Sequence, residues 1–331
     1  MTPARSHDAR YWFAAQRRPV FAALLFAAMF ALFAGKHPAG FSGNVVNTAA
    51  NKAVLLAFVA MAQTLPVLTA GLDLSVGSVF VLANCLGSTL LTGSPLHVGL
   101  GVAAVLVTGL VCGALNGLVV VVGRLQPIIA TLATGAMYGG VALWLRPSPG
   151  GAIDEDLADF VTGSLRGSVP FSLVLLAGVV VLLWIPYRRS GIGRAAYAIG
   201  SSEDAAYMSG VLVARAKFLT YVLAGLLAAV AGVLLTCVTY SGEANALLAG
   251  SYTLSSIAAV VVGGTSLYGG TGGAIGSIFG ALVLRTIGDL LFVFDIDPLS
   301  QPLFQGVVLL AAVSLGSLRL LQVKKRVDLY R

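Results

Sequence analysis

Long apolar runs separated by short polar breaks dominate the chain. Runs at about 19–35, 45–70, 76–93, 98–122, 127–145, 170–187, 216–239, 251–268, 273–294 and 303–318 carry almost no charge. A bilayer core of about 30 Å is crossed by roughly 20 apolar residues in a helix. The pattern therefore predicts an all-α integral membrane protein of about ten transmembrane helices. The narrowest breaks, Gly71–Ser75 and Tyr268–Gly272, suit either a loop or a helix interrupted within the membrane. The organisation that follows is a tail at 1–18, a membrane domain at 19–318 and a second tail at 319–331. Within the membrane domain, polar stretches at 147–169 and 188–215 leave the bilayer.

Composition narrows the class. Of 331 residues 58% are hydrophobic and only 10% are charged, against about 25% charged in a typical soluble protein. That excludes an ordinary soluble enzyme, a disordered chain and a nucleic-acid-binding domain. The net charge of +7 is explained by where the charges sit. Basic residues concentrate in the loops that face the cytoplasm. With ten spans and the N-terminus inside, fifteen of the twenty Lys and Arg fall on the cytoplasmic side: Arg5, Arg10, Arg17, Arg18, Arg124, Arg188, Arg189, Arg194, Arg215, Lys217, Arg319, Lys324, Lys325, Arg326 and Arg331. Lys36, Arg146 and Arg166 fall outside, while Lys52 and Arg285 lie within spans. Asp154, Glu155, Asp156, Asp159, Glu243, Asp295 and Asp297 fall outside. One span more or fewer would swap the sides of everything after it. Both termini are thus expected in the cytoplasm. The first run has an 18-residue charged leader and no clean Ala-x-Ala site before Gly35, so it reads as a retained span and not a signal peptide.

Catalytic and metal signatures are missing. The only Gly-Lys, Gly35-Lys36, continues into His37-Pro38, so there is no P-loop. No HExxH or G-x-S-x-G occurs. His7, His37 and His97 sit near ends or loops. Cys85, Cys112 and Cys237 fall in apolar runs without disulfide or metal spacing. The reading is a non-catalytic protein with no cofactor and no metal. Asp289 is a rare intramembrane carboxylate, and Arg285, one helical turn earlier on the same face, is expected to neutralise it.

Four features bear on mechanism. In Leu68-Thr69-Ala70-Gly71-Leu72-Asp73-Leu74-Ser75-Val76-Gly77-Ser78, glycines bracket an acid and a hydroxyl between apolar helices. Asp73 or Ser75 is placed to cap the next helix, or the segment is a broken helix lining a polar cavity. Asp73, Ser75, Asn84 and Asn116 are the candidates for a translocation pathway; helix–helix hydrogen bonding suits the two Asn equally well. In the 188–215 loop, Ser201 and Asp204 have capping-box spacing and Gly210 suits a helix stop. A two-turn helix with Tyr207 and Met208 on its surface follows, suited to docking a cytoplasmic partner. Gly109, Gly113 and Gly117 on span 4, and Gly272, Gly276 and Gly280 at the start of span 9, form ladders that permit close helix packing. Spans 4 and 9 run oppositely, as in an inverted repeat of spans 2–5 and 7–10. The acidic 147–169 stretch is either a solvated loop or a contact for an extracytoplasmic protein.

The chain resembles the permease subunit of ribose/xylose/galactofuranose-type ABC sugar importers, in the branched-chain amino acid and sugar permease superfamily. Ala70–Ser78 matches that family's signature near the end of the second span. Gly193-Arg194, Tyr197-Ala198-Ile199-Gly200 and Ser209-Gly210-Val211 match its cytoplasmic coupling segment. Ser256–Gly264, followed by Gly269-Gly270, matches its C-terminal glycine-rich signature. Asp204 keeps the second acidic position of the coupling segment; Tyr207 is less typical there. The resemblance implies a type II importer permease in a bacterial inner membrane, working as a dimer with a second copy or a related permease. It implies a cytoplasmic ATP-binding subunit docked through Gly193, Arg194, Ser201, Glu203, Asp204, Tyr207, Met208 and Gly210, and a periplasmic sugar-binding protein. ATP hydrolysis is then expected in the separate subunit, and a monosaccharide is the expected cargo. Amino acids or nucleosides as cargo, an ATP-independent secondary carrier, and a membrane scaffold are the competing readings.

Overall fold

The computed structural model describes residues 5–308 apart from 166 and 168, together with 310, 311 and 314. Arg166 and the tail 319–331, with Arg319, Lys324, Lys325, Arg326 and Arg331, lie outside the described residues. The helices are α1 (Arg5–Lys36), α2 (Gly43–Leu68), α3 (Val76–Leu90), α4 (Pro95–Val121), α5 (Pro127–Leu145), α6 (Glu155–Thr162), α7 (Phe171–Val179), α8 (Ile185–Arg189), α9 (Gly191–Ser201), α10 (Glu203–Met208), α11 (Val213–Thr239), α12 (Ala246–Val262) and α13 (Ala274–Val293). A π-turn at Val180–Trp184 joins α7 to α8, giving one span over Phe171–Arg189. A two-residue hairpin pairs β1 (Ser164–Leu165) antiparallel with β2 (Val169–Pro170).

Among the described residues, seven helices are long and apolar enough to cross a membrane. The expected third and eighth spans are shorter, at 15 residues for α3 and 17 for α12. At 1.5 Å per residue, α3 is about 22 Å long, less than a bilayer core. The shortfall is taken up by the irregular segments 69–75 and 263–273, so both breaks are real interruptions of helix. Of the expected tenth run, 303–308, 310, 311 and 314 are helical, and 315–318 lie outside the described residues.

α2 is the axis of the bundle. Every residue from 53 to 69 is buried, which suits a stretch apolar on all faces. It packs against α11, α12 and α13. α4, α5 and the α7–α8 span lie outside this centre and turn apolar side chains outward, Leu100, Val107 and Val111 on α4 and Leu132, Met137 and Trp144 on α5 among them.

Small residues decide where helices cross. A Cβ on Gly109 would overlap Ala229 and the Gly225 carbonyl of α11, and one on Gly113 the Tyr221 carbonyl oxygen; Gly117 meets Phe218. The span 4 ladder therefore lies along α11. The second ladder is shorter than its sequence spacing implies. Gly276 and Gly280 face the Gly263 and Ala259 carbonyls at the end of α12, but Gly272 precedes α13 and packs on Thr265 within the loop. Periodicity of four assumed a helix that starts only at Ala274.

Two ends of the bundle are well defined. At the α6 end, Gly150 and Gly242 form a backbone bridge, and the Asn47 and Asn51 side chains both donate to the Thr162 carbonyl at 2.8 and 2.6 Å. At the opposite, α9 end lie 69–75, α9, α10 and 263–273.

Gly113→Leu, placed against the α11 backbone, is expected to destabilise the protein by at least the roughly 1–3 kcal/mol typical of an overpacked core. Gly140→Ala, where a Cβ meets nothing within 4 Å, should be neutral. Thermal unfolding of the detergent-purified variants measures both.

Candidate functional site

The break between α2 and α3 begins with a tight helix stop. Gly71 N–H donates to the Pro66 carbonyl at 3.0 Å, and Ala70 N–H to the Val67 carbonyl at 3.0 Å. This is the Schellman pattern, whose left-handed position glycine ordinarily fills. Here Ala70 fills it, at φ 59°. Gly71 then passes beneath the Tyr221 hydroxyl of α11 and beside Pro127 of α5. Tyr221 is fully buried and its hydroxyl has no hydrogen-bond partner among the described residues.

Asp73 organises the rest of the break. Its Oδ1 accepts from the Ser75 N–H at 2.9 Å and from the Ser75 hydroxyl at 2.6 Å. That is an Asx-turn feeding the start of α3. Of the two expected caps, then, Asp73 supplies the acceptor, and Ser75 makes no side-chain cap of its own. Asn116 of α4 donates from Nδ2 to the Ser75 hydroxyl at 2.7 Å, with Asp73 Oδ2 at 3.5 Å. Asn116 Oδ1 accepts from Thr134 at 2.6 Å and lies 3.0 Å from the Tyr138 hydroxyl of α5. The Leu74 N–H donates to Thr131 of α5 at 2.9 Å. Oriented by the groups around it, the Gln63 amide of α2 donates to the Asp73 carbonyl at 2.8 Å and accepts from its N–H at 3.3 Å. Asp73, Ser75, Asn116, Thr131 and Gln63 are all buried. The site is a closed polar lock joining α2, α3, α4 and α5, held in an apolar surround that strengthens each bond and penalises each loss.

Of the pathway candidates Asp73, Ser75, Asn84 and Asn116, the structure brings Asp73, Ser75 and Asn116 together. Asn84, the fourth of the group, lies apart. Its amide donates to Thr236 and to the Ser241 carbonyl, each at 3.0 Å, and its Oδ1 accepts from the Glu243 N–H at 3.0 Å, fastening α3 to the end of α11. Gln63, Thr131, Thr134, Tyr138 and Tyr221 were not anticipated. The signal for Gln63 was its lone amide in an apolar run. Asp289 and Arg285 make no direct salt-bridge contact among the described residues, and Arg285 Nε is buried without a hydrogen bond.

The second region is the α9–α10 platform. Ser190 caps α9, its hydroxyl accepting from the Gly193 N–H at 3.1 Å. α10 is capped by Ser202, not by the expected Ser201: Ser202 Oγ accepts from the Ala205 N–H at 3.3 Å, whereas Ser201 ends α9 and bonds the Tyr197 carbonyl at 3.0 Å. The expected two-turn helix therefore starts one residue later, because α9 occupies Ser201. α10 stops at Gly210, where the Gly210 and Val211 N–H groups return to the Tyr207 and Ala206 carbonyls. Glu203 forms an ion pair with Lys217 of α11 at 2.6 Å. Asp204, Tyr207, Met208 and Leu212 are exposed. Gly193 is buried against the Tyr187 carbonyl, so it packs the platform and does not face outward. A cleft of about 520 Å³ runs beside α9, with Ile192, Arg194, Ala198, Leu212 and Arg215 in its walls. The Tyr197 hydroxyl donates to the Gly272 carbonyl at 2.8 Å. Burial raises its pKa above the ordinary tyrosine value, and nearby Arg188 pulls it partly back, so it remains a donor at neutral pH.

A family model described as branched-chain amino acid transport system / permease component matches residues 45–313. The ribose import permease protein RbsC of Bacillus subtilis is 35% identical over 264 residues, covering 78% of this chain and 80% of that protein. RbsC of Escherichia coli K12 is 35% identical over 262 residues, with the same coverage. The autoinducer 2 import system permease protein LsrD of Photorhabdus laumondii is 30% identical over 290 residues, covering 85% of this chain and 86% of that protein. No solved structure matches the chain.

Two substitutions should act in opposite directions on the lock. Asp73→Ala strands the Ser75 and Asn116 donors and is expected to cost about 1–3 kcal/mol. Ala70→Gly relieves a left-handed alanine and should stabilise by up to about 1 kcal/mol. Melting temperatures of the purified variants check the two signs.

Proposed function

The chain belongs to the branched-chain amino acid transport system / permease component family, and from that premise we propose that it is the membrane subunit of an ATP-driven, binding-protein-dependent importer of a monosaccharide. Several observations support this. The relatives with sugar import in their names cover about four-fifths of the chain. The apolar bundle supplies the spans. The α9–α10 platform offers a capped helix with exposed Asp204, Tyr207 and Met208 at one end. The observation that carries the reading is this platform, because a permease without a nucleotide site of its own needs a rigid surface through which a separate ATPase acts.

In this reading the α9 end and both termini face the cytoplasm, the α6 end faces outward, and the chain sits in the bacterial inner membrane. The ATPase grips α10 and the adjoining cleft; the sugar-binding protein delivers cargo at the α6 end. A second permease, identical or related, completes the pathway. Nucleotide binding biases a two-state change, so the membrane subunit contributes differential contacts and not chemistry. The inverted repeat of spans 2–5 and 7–10 is supported by reciprocal packing, α4 on α11 and α13 on α2. Because Asp73, Ser75 and Asn116 are sealed within a lock, they act in the pathway by shaping it and not by touching sugar. Ribose is the first cargo to test, on the strength of the two ribose relatives.

Co-purification of the proposed ATP-binding subunit provides the test. Replacing Tyr207 and Met208 with Glu, or Glu203 and Asp204 with Lys, is expected to reduce its co-purification about tenfold or more, as removal of interface anchors does. The permease should still fold and reach the membrane. Undiminished co-purification in both double variants would contradict the docking role.

A further inference from the structure

The three sequence signatures, far apart in the chain, converge on one point. The last turn of α9 carries Gly200. A Cβ there would overlap the Leu68 carbonyl oxygen of α2 and the Gly270 nitrogen. A Cβ on Gly269 would lie 2.8 Å from the Ala70 nitrogen and 2.8 Å from Gly200 Cα. The Gly270 N–H donates to the Leu68 carbonyl at 3.1 Å, and the Tyr197 hydroxyl holds the Gly272 carbonyl at 2.8 Å. Leu68 and Ala70 are the entry to the break that Asp73 locks. At this junction α9, the end of α2 and the 263–273 loop touch backbone to backbone.

Contact of this kind transmits displacement differently from ordinary packing. Side chains absorb small movements by changing rotamer, whereas peptide groups in van der Waals contact have no such freedom. A shift of α9 therefore reaches Leu68 and Ala70 directly, and with them the lock that spans α2 to α5. We propose that Gly200 and Tyr197 are positioning residues that convert movement of the α9–α10 platform into movement of the α2–α3 break, with the glycines at 269 and 270 as the bearing between them. Tyr197 keeps the bearing seated through Gly272. Gly200 keeps the separation too small for any side chain. This rests on the function proposed above, since it assigns a path to the ATPase's mechanical input.

The test uses the full importer, with the permease, its ATPase and its binding protein in proteoliposomes, and radiolabelled ribose as the probe. The quantity read is ribose taken up per ATP hydrolysed. Tyr197→Phe removes only the hydroxyl and should leave folding, ATPase co-purification and basal ATP hydrolysis intact. The uptake ratio is expected to fall about fivefold, within the usual range of coupling between sites. Gly200→Ala should lower the ratio further, while Gly178→Ala, with nothing within 4 Å of its Cβ, should keep it. A wild-type ratio in Tyr197→Phe overturns the inference whatever becomes of Gly200→Ala. A fall in ATPase co-purification matching the fall in uptake overturns it too, because the residues would then serve docking. A wild-type chain that takes up neither ribose nor any other labelled monosaccharide under ATP overturns the function reading itself, and the inference with it.

Discussion

Backbone polar groups inside an apolar bundle have no water to turn to, and the interruption between α2 and α3 leaves several of them without a helical partner. The rest of the structure is arranged around that constraint. Ala70 accepts a left-handed conformation so that Gly71 can reach back to Pro66. Asp73 turns its carboxylate onto the start of α3. Asn116, Thr131 and Gln63, from three other helices, take up what remains. Each unsatisfied group in such surroundings costs several kcal/mol. The break is thus also a polar tie among α2, α3, α4 and α5. A discontinuity that could have weakened the bundle instead fixes the relative placement of four of its helices.

That tie reaches the end of the bundle where α9 and α10 lie. The residues just before the lock, Leu68 and Ala70, are the ones against which Gly200, Gly269 and Gly270 close. The platform has opposite properties on its two sides. Outward it shows Tyr207, Met208 and Leu212, large side chains available to a partner. Inward it packs peptide groups at Gly193 and Gly200, together with the buried side chains of Ala196 and Ile199.

Much of this was legible in the sequence, for physical reasons specific to each element. Apolar runs and charge sorting report on the bilayer itself, so the helices were found close to their positions. The 69–75 break announced itself through Gly71, Asp73 and Ser75, because only a segment leaving helical geometry collects those residue types. Contacts between helices were less visible. Thr131, Thr134 and Tyr138 look like ordinary members of an apolar run, and nothing local says that they face Asn116. The α10 cap was misplaced by one residue because two serines compete, and α9, a helix the sequence reading does not include, claims the first. Gly272 was counted into a ladder because a period of four does not reveal where a helix begins.

The central claim is that this chain moves sugar only when a separate subunit supplies nucleotide energy. Its most direct test is uptake of labelled ribose into proteoliposomes holding the wild-type permease and its ATPase, with the binding protein outside and ATP sealed inside. Ribose should accumulate against its gradient with ATP and fail to accumulate with a non-hydrolysable analogue. Accumulation by the permease alone, driven by a proton or sodium gradient without ATPase or ATP, would contradict the account.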